Sequence, residues 1–431
     1  MMERLLETAK KVCDQAEIYA IDYRSDSISF ENAKLKDIES SMQSGVSLRI
    51  LKNNCLGFAY TRNLRDRDEL VQNALDSLKG EVEASFEFPL SKDLQLTDTY
   101  DPAIENLSNS AMVDECGRVC ELLSGKTGGQ LNVSAYRSVR NLRIMNSAGT
   151  DLSQKSSSYS LSPQIIYPYT SASLYRSFTS RGFDKYSSEY LIFLADMYNN
   201  SLKEIHPQGG RMKVLFMPET SYVFLWRLQT ATSGQSLYEH ISPLEGRIGE
   251  KIFDEKLTIY SDPLNDKLPS ARAFDDEGTP CRRLPVIDNG VLKSFYYDLH
   301  FASKMKALPT GHGFRGSMTG KPGPSLSHLC IQQGSKSFND LVKSIDRGII
   351  VAGAMGAHSG NIPNGDFSIG VAPCIYIEGG EISGHVKNTM VAGNIYETLK
   401  HVVDIENSIP YHYAGSRPAV LLDDINVTMK T

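Results

Sequence analysis

With 431 residues, 41% hydrophobic and 22% charged, the chain has room for two or three domains and an ample core. A net charge of −6 and the lack of any basic run argue against a nucleic-acid binder, which needs a counterion-releasing face. No apolar run approaches the length of a membrane span, so a soluble globular protein is expected, with neither nucleic acid nor membrane as a partner.

The first residues, Met1–Gln15, read as a charged amphipathic helix rather than a signal peptide. Seven Cys, an odd number, are scattered without a C-x-x-C pair. Cys116 and Cys120, four apart on a predicted helix, read as two small core residues. A reducing cytoplasm suits this pattern.

After the first helix, Glu17–Asp22 and Ser27–Ala33 predict strands. Val46, Leu48 and Ile50 alternate as a half-buried strand does, and Cys55–Thr61 is expected to pair with it across Lys52-Asn53-Asn54. Asp68–Lys79 puts Leu70, Val71, Ala74, Leu75 and Leu78 on one helical stripe that Gly80 stops. A polar connector with Pro89 and Pro102 leads to a predicted helix at Ser110–Leu123 and to strand-like segments through Tyr167. The Ser/Tyr alternation of Ser153–Ser162 predicts an exposed strand, and Ser188–Ile205 a helix. His206-Pro207-Gln208-Gly209-Gly210 marks a boundary. The expected units are therefore 1–105, a middle segment 106–208 packed with it, and a β-rich domain 209–431.

Beyond the boundary Lys213–Met217 is a predicted strand, and Asp288-Asn289-Gly290 is a strong hairpin signal between Cys281–Ile287 and Val291–Tyr297. Leu299–Leu308 predicts a short helix, Ser337-Phe338-Asn339-Asp340 opens another with a capping-box pattern, and Gly348–Ala352 is a short strand. Asp366–Ile377 and Glu381–Val391 predict a second hairpin across Gly379-Gly380, followed by a last helix at Asn394–Val403 and closing strands in Ala419–Met429. Helices and strands do not alternate as β-α units, so the expected class is α+β: an N-terminal α/β unit with antiparallel strands, then a β-rich C-terminal domain with a few helices.

Chemistry is decided in Ser221–Ser261. Its apolar helical run (Val223, Phe224, Leu225, Leu228), which Thr220 is expected to cap, leads to a break at Ser233–Gly234, a polar loop and a strand ending at Ile259–Tyr260. Such a helix suits a metal-peptidase motif, two His one turn apart plus a Glu. Here Leu225-Trp226-Arg227-Leu228-Gln229-Thr230 holds neither His nor carboxylate. The nine His are never closer than eleven residues, so no helix offers a local pair. No catalytic residue or metal ligand is assigned.

His240, His312 and His358, all near glycines, are candidate peptide or partner contacts, either gathered in the fold or left as loop residues with solvent or backbone partners. Glu239-His240 is an acid/base pair by type alone, and His358-Ser359 lies off the nucleophile-elbow pattern. The glycine-rich Gly353–Gly370 matches neither phosphate-cradling motif and reads as a connection with tight turns. Within it Asp366 either lines a peptide site or caps a turn.

The segments GRIGEKIFDEKLTIYSDP, DDEGTPCRRLPVIDNGVLKSFYYDLHFASKM, TGHGFRG, NGDFSIGVAP and VAGNIYETL occur in this order, with SISFENAKLKDIESSMQSGVSLRILKNNCLGFA near the N-terminus. Together they resemble the TldD/PmbA family, also called the modulator-of-DNA-gyrase family, over nearly the whole chain. In its metal-bearing TldD branch a His-Glu-x-x-x-His motif stands on the helix; counted back from Gly249-Glu250, its slots fall on Leu225, Trp226 and Thr230. That branch completes its coordination with a Cys near the C-terminus, whereas here the last Cys is Cys374. The chain looks like the PmbA (TldE) branch. The resemblance implies a cytoplasmic subunit without zinc of its own, paired with a TldD-like zinc-bearing subunit that cuts or matures small peptides. The alternative it leaves is a non-proteolytic homodimeric binding or regulatory protein.

Overall fold

In a computed structural model, the described residues are 2–407 and 417–430; the first part of the cysteine-free tail, His412 included, lies outside them. Two long β-hairpins laid side by side form the first half. Its elements are α1 (Met2–Lys10), β1 (Gln15–Glu31), β2 (Lys34–Lys52), β3 (Cys55–Thr61), α2 (Arg67–Ser77), α3 (Asn109–Ser124), β4 (Gln130–Asn146), β5 (Asp151–Ile166), β6 (Ser173–Tyr175), β7 (Phe178–Ser180) and α4 (Ser188–Asn200). All seven strands are antiparallel, in the order β3-β2-β1-β4-β5-β6, with β7 also on β5.

The two strands predicted before Asn32 are one, because the polar link Tyr23–Asp26 is paired on both sides, Tyr23 with Gln43 and with Arg140. Asn53 and Asn54 both take positive φ, 51° and 59°, the left-handed pair that matches hairpin twist. β5 departs from the exposed strand its serines predict: Tyr159 and Leu161 are fully buried against α3 and α4. α4 stops at Asn200, short of the predicted Ile205, and Leu202 is left exposed.

The second half contains β8 (Gly210–Phe216), α5 (Tyr222–Ala231), α6 (Gly234–Tyr238), β9 (Ile259–Ser261), β10 (Leu284–Asp288), β11 (Val291–Leu292), α7 (Leu299–Lys304), β12 (Gly313–Phe314), β13 (Gly323–Pro324), β14 (Leu329–Ile331) and α8 (Phe338–Lys343). It continues with β15 (Arg347–Val351), β16 (Ala354–Met355), β17 (Asp366–Val371), β18 (Cys374–Glu378), β19 (Glu381–Val386), β20 (Thr389–Asn394), α9 (Ile395–Thr398), β21 (Val402–Ile405) and β22 (Val420–Met429). A nine-stranded sheet runs β16-β17-β20-β22-β8-β15-β18-β19, with β21 beside β22. Only β8 and β15 pair in parallel among its described strands. The predicted helix Asn394–Val403 shrinks to α9 because Val402 pairs with Leu422 instead. The predicted run Asp366–Ile377 splits at Pro373, which has no N–H for a ladder.

Both faces of this sheet are covered. Val214, Phe216, Ile349 and Val351 pack into the core that holds α5. Leu215, Met217, Ile350, Ile375 and Ile377 pack the other way, against α3, α4 and the first sheet. Double burial is why these strands read as unbroken apolar runs. A smaller core under α1 and α2 takes Ile18, Leu48 and Ile50 from the far face of the first sheet. The architecture is α+β, antiparallel first and β-rich second. No helix among the described residues is long and apolar enough to cross a membrane.

Candidate functional site

The helix that carries the three motif slots is α5. A 3-10 turn at Pro218–Thr220 launches it, and Ser221 rather than Thr220 stands at its N-cap position, without a side-chain cap. The Thr220 hydroxyl, 2.9 Å from the Val351 carbonyl, ties the helix start to β15. At the other end Gly234 lets the chain approach closely: a Cβ there would lie 2.3 Å from the Tyr297 ring.

Leu225 is buried in the core. Trp226 is 41% exposed and offers no donor set for a cation. Thr230 spends its hydroxyl on the Trp226 carbonyl at 3.0 Å. Zinc asks for His, Cys or carboxylate ligands, and these three side chains do not fit it. Among the described residues no group of three or more His, Cys, Asp or Glu is placed to hold a metal ion.

The same helix holds a buried cation of its own. Arg227 is fully buried, and its guanidinium donates to four carbonyls: Nε to Asp366 (2.6 Å), Nη1 to Val223 (2.7 Å), and Nη2 to Ala357 and Ser359 (2.9 Å each). Burial pulls its pKa below the usual arginine value, opposed by the charge of Asp366. The planar fork thus pins both ends of the loop 357–366 to α5. Asp366 itself is exposed at the start of β17, and its carboxylate accepts from Asn394 Nδ2 at 2.8 Å.

The three singled-out histidines have separate surroundings, and no hydrogen bond or ring contact joins any two of them. His240 is exposed, with Nδ1 3.2 Å from both carboxylate oxygens of Glu245, while its sequence neighbour Glu239 accepts from Gln235. His358 is exposed in the turn before Gly360. His312 is fully buried, with Nδ1 3.0 Å from the Thr310 carbonyl and Nε2 3.1 Å from Ser261 Oγ, and burial drives its pKa down to about 4.

A cluster of buried charges went unread in the sequence. Glu17 on β1 lies directly opposite Arg49 on β2. Arg49 reaches on to Glu277 (2.8 Å), and Arg315 donates to Glu17 (3.0 Å). Asp276 accepts from Arg272 Nη1 (2.7 Å) and from the Arg315 backbone N–H (2.8 Å). Burial disfavours the Asp276 anion, but the charges of Arg272, Arg140 and Arg315 outweigh it and hold the carboxyl low. Burial pushes Glu277 up despite Arg49. The available signal was charge at inward positions of apolar runs, Glu17 between Ala16 and Ile18 and Arg49 between Leu48 and Ile50, together with the run Asp275-Asp276-Glu277.

Residues 209–429 match the family model described as the PmbA/TldA metallopeptidase C-terminal domain, and residues 16–78 match the model of domain 1. A metalloprotease of Methanothermobacter thermautotrophicus is 26% identical over 401 residues, covering 90% of this chain and 87% of its own. TldE from Thermococcus kodakarensis shares the fold, with a TM-score of 0.90 at 23% identity over 99% of each chain. A Thermotoga maritima protein described as a modulator of a DNA gyrase superposes with a TM-score of 0.87 at 26% identity over 99% of each chain.

Proposed function

This chain belongs to the PmbA/TldD metallopeptidase family, and from that premise we propose that it is the subunit of such a peptidase that carries no zinc of its own. It works in the cytoplasm beside a TldD-like zinc-bearing subunit, and the pair cuts or matures small peptides. The observation that carries this reading is α5: its motif slots hold a core leucine, a tryptophan and a threonine whose hydroxyl is spent on the backbone. A peptidase metal site needs three protein ligands and an open position, which this helix does not offer. Open strand edges in the closed pair would bind extended peptide by β-augmentation.

The test uses the purified full-length chain. Elemental analysis is expected to find no stoichiometric zinc, and a peptidase assay no cleavage until a TldD-like subunit is added. About one zinc per chain, or chelator-sensitive cleavage by the chain alone, would overturn the proposal. The alternative, a non-proteolytic homodimeric regulator, predicts no stimulation by the added subunit; the Thermotoga neighbour's description names a gyrase modulator.

A further inference from the structure

Between the β4–β5 hairpin and the second half of the chain lies a cavity of about 230 Å³, lined by Arg140, Gln154, Ser156, Arg272, Asp276 and Arg315 among others. Two guanidiniums, those of Arg272 and Arg140, bracket one carboxylate there. Asp276 takes a hydrogen bond from Arg272 and lies 3.7 Å from Arg140, while the Arg315 side chain turns away to Glu17, which already holds Arg49. In the wider network Arg49, Arg140, Arg272 and Arg315 face Glu17, Asp276 and Glu277, with the buried Asp275 and Asp298 beside Glu277, whereas at the cavity itself Arg140 and Arg272 stand against the single carboxylate of Asp276.

The donors are in surplus as well. Arg272 is buried (8% exposed), and its Nη2 finds no acceptor among the described residues. The same holds for Nε of Arg140 and of Arg315. A buried cation with unmet donors is costly, and a carboxylate or phosphate is the group whose oxygens match a guanidinium fork. Two more wall residues, Ser270 and Ser327, flank the buried His328 at 2.8 Å each. Burial drives His328 to about 4, so at neutral pH one ring nitrogen donates and the other accepts. The serine that accepts from the ring keeps its own hydroxyl proton for the cavity.

We propose that this cavity binds a small oxyanion, the carboxylate or phosphate group of a low-molecular-weight ligand, with Arg272 as its principal contact. The proposal stands independently of the zinc-free subunit reading.

Calorimetric titration of the full-length chain tests it, with inorganic phosphate, a short alanine peptide with a free C-terminal carboxylate, and the same peptide amidated. Saturable binding of phosphate or of the free acid, but not of the amide, is expected. Phosphate alone identifies a free anion as the source; the free-acid peptide alone identifies a peptide end. Arg272→Gln should weaken binding by about tenfold or more, the loss expected for a charge-assisted hydrogen bond. Ser156→Leu fills the cavity from β5 and leaves every guanidinium in place, so it should abolish binding while the melting profile stays native. Absence of saturable binding by either anion, binding of the amide equal to that of the acid, or a folded Ser156→Leu variant that binds like the parent would each overturn the assignment.

Discussion

Arg49 and Glu17 close a fork of two parallel hydrogen bonds, 2.9 and 2.6 Å, at opposed positions of β1 and β2, with both side chains out of water. The pair also joins the two halves of the chain, because Arg49 continues to Glu277 and Glu17 accepts from Arg315. An intact buried ion pair contributes little net stability, since desolvation offsets the attraction. Breaking it strands a charge.

Glu17→Gln should therefore destabilise the chain by about 3–5 kcal/mol, the cost of leaving buried arginines without their counter-charge. In a denaturant-unfolding double-mutant cycle, Arg49→Met should cost far less in the Glu17→Gln background than in the parent. Additive costs would show that the fork is not the unit described.

Arg227→Met removes the only described side-chain donors to the carbonyls of Ala357, Ser359 and Asp366. A loss of about 3 kcal/mol or more is expected from unsatisfied buried acceptors. Hydrogen exchange should quicken across 357–366. Arg227→Lys should rescue little, because a single ammonium cannot span the fork's positions. Unchanged exchange in that loop would contradict the pinning role.

The pH response of His312 is a separate test. Its folded pKa lies near 4, below the ordinary value of 6.5, because burial disfavours the cation. The unfolded chain then binds more protons between these values, so this contribution to stability is present above 6.5 and lost as pH falls toward 4, by about 3 kcal/mol. Asp298 pulls the other way: burial and Glu277 raise it to about 7, so it favours the folded state as pH falls. The readout is accordingly the gap in unfolding free energy between the parent and His312→Gln, which should narrow from pH 7 to pH 4. A pH-independent gap would refute it.

Gly234→Ala should cost about 1–3 kcal/mol by overpacking, since the added methyl meets the Tyr297 ring at 2.3 Å and the Tyr296 carbonyl at 3.1 Å. Thermal melting of the variant measures this. A melting temperature equal to the parent's would mean that the ring yields freely.

Much of the fold was legible because its causes are local. The turn at Asn53-Asn54, the hairpin at Asn289-Gly290 (φ 48° and 76°) and the capping box of Ser337 with Asp340 each depend on residues a few positions apart, and each stands where it was read. Elements misjudged were those whose state a distant partner sets. Val402 is strand because Leu422 lies beside it, and β5 is buried because α3 and α4 cover it.

The sequence by itself determined that the helix at 225–230 lacks zinc-binding side chains, since residue identity alone excludes that chemistry. Only the tertiary structure decided what stands in its place: Arg227 gripping carbonyls more than 100 positions away, His312 sealed between Thr310 and Ser261, and a guanidinium-rich cavity between two halves of the chain. A charged residue in sequence reads as solvent-facing, because water is its cheapest partner. It goes inside only where distant segments supply the counter-charges and carbonyls, and which segments meet is a property of the packed fold.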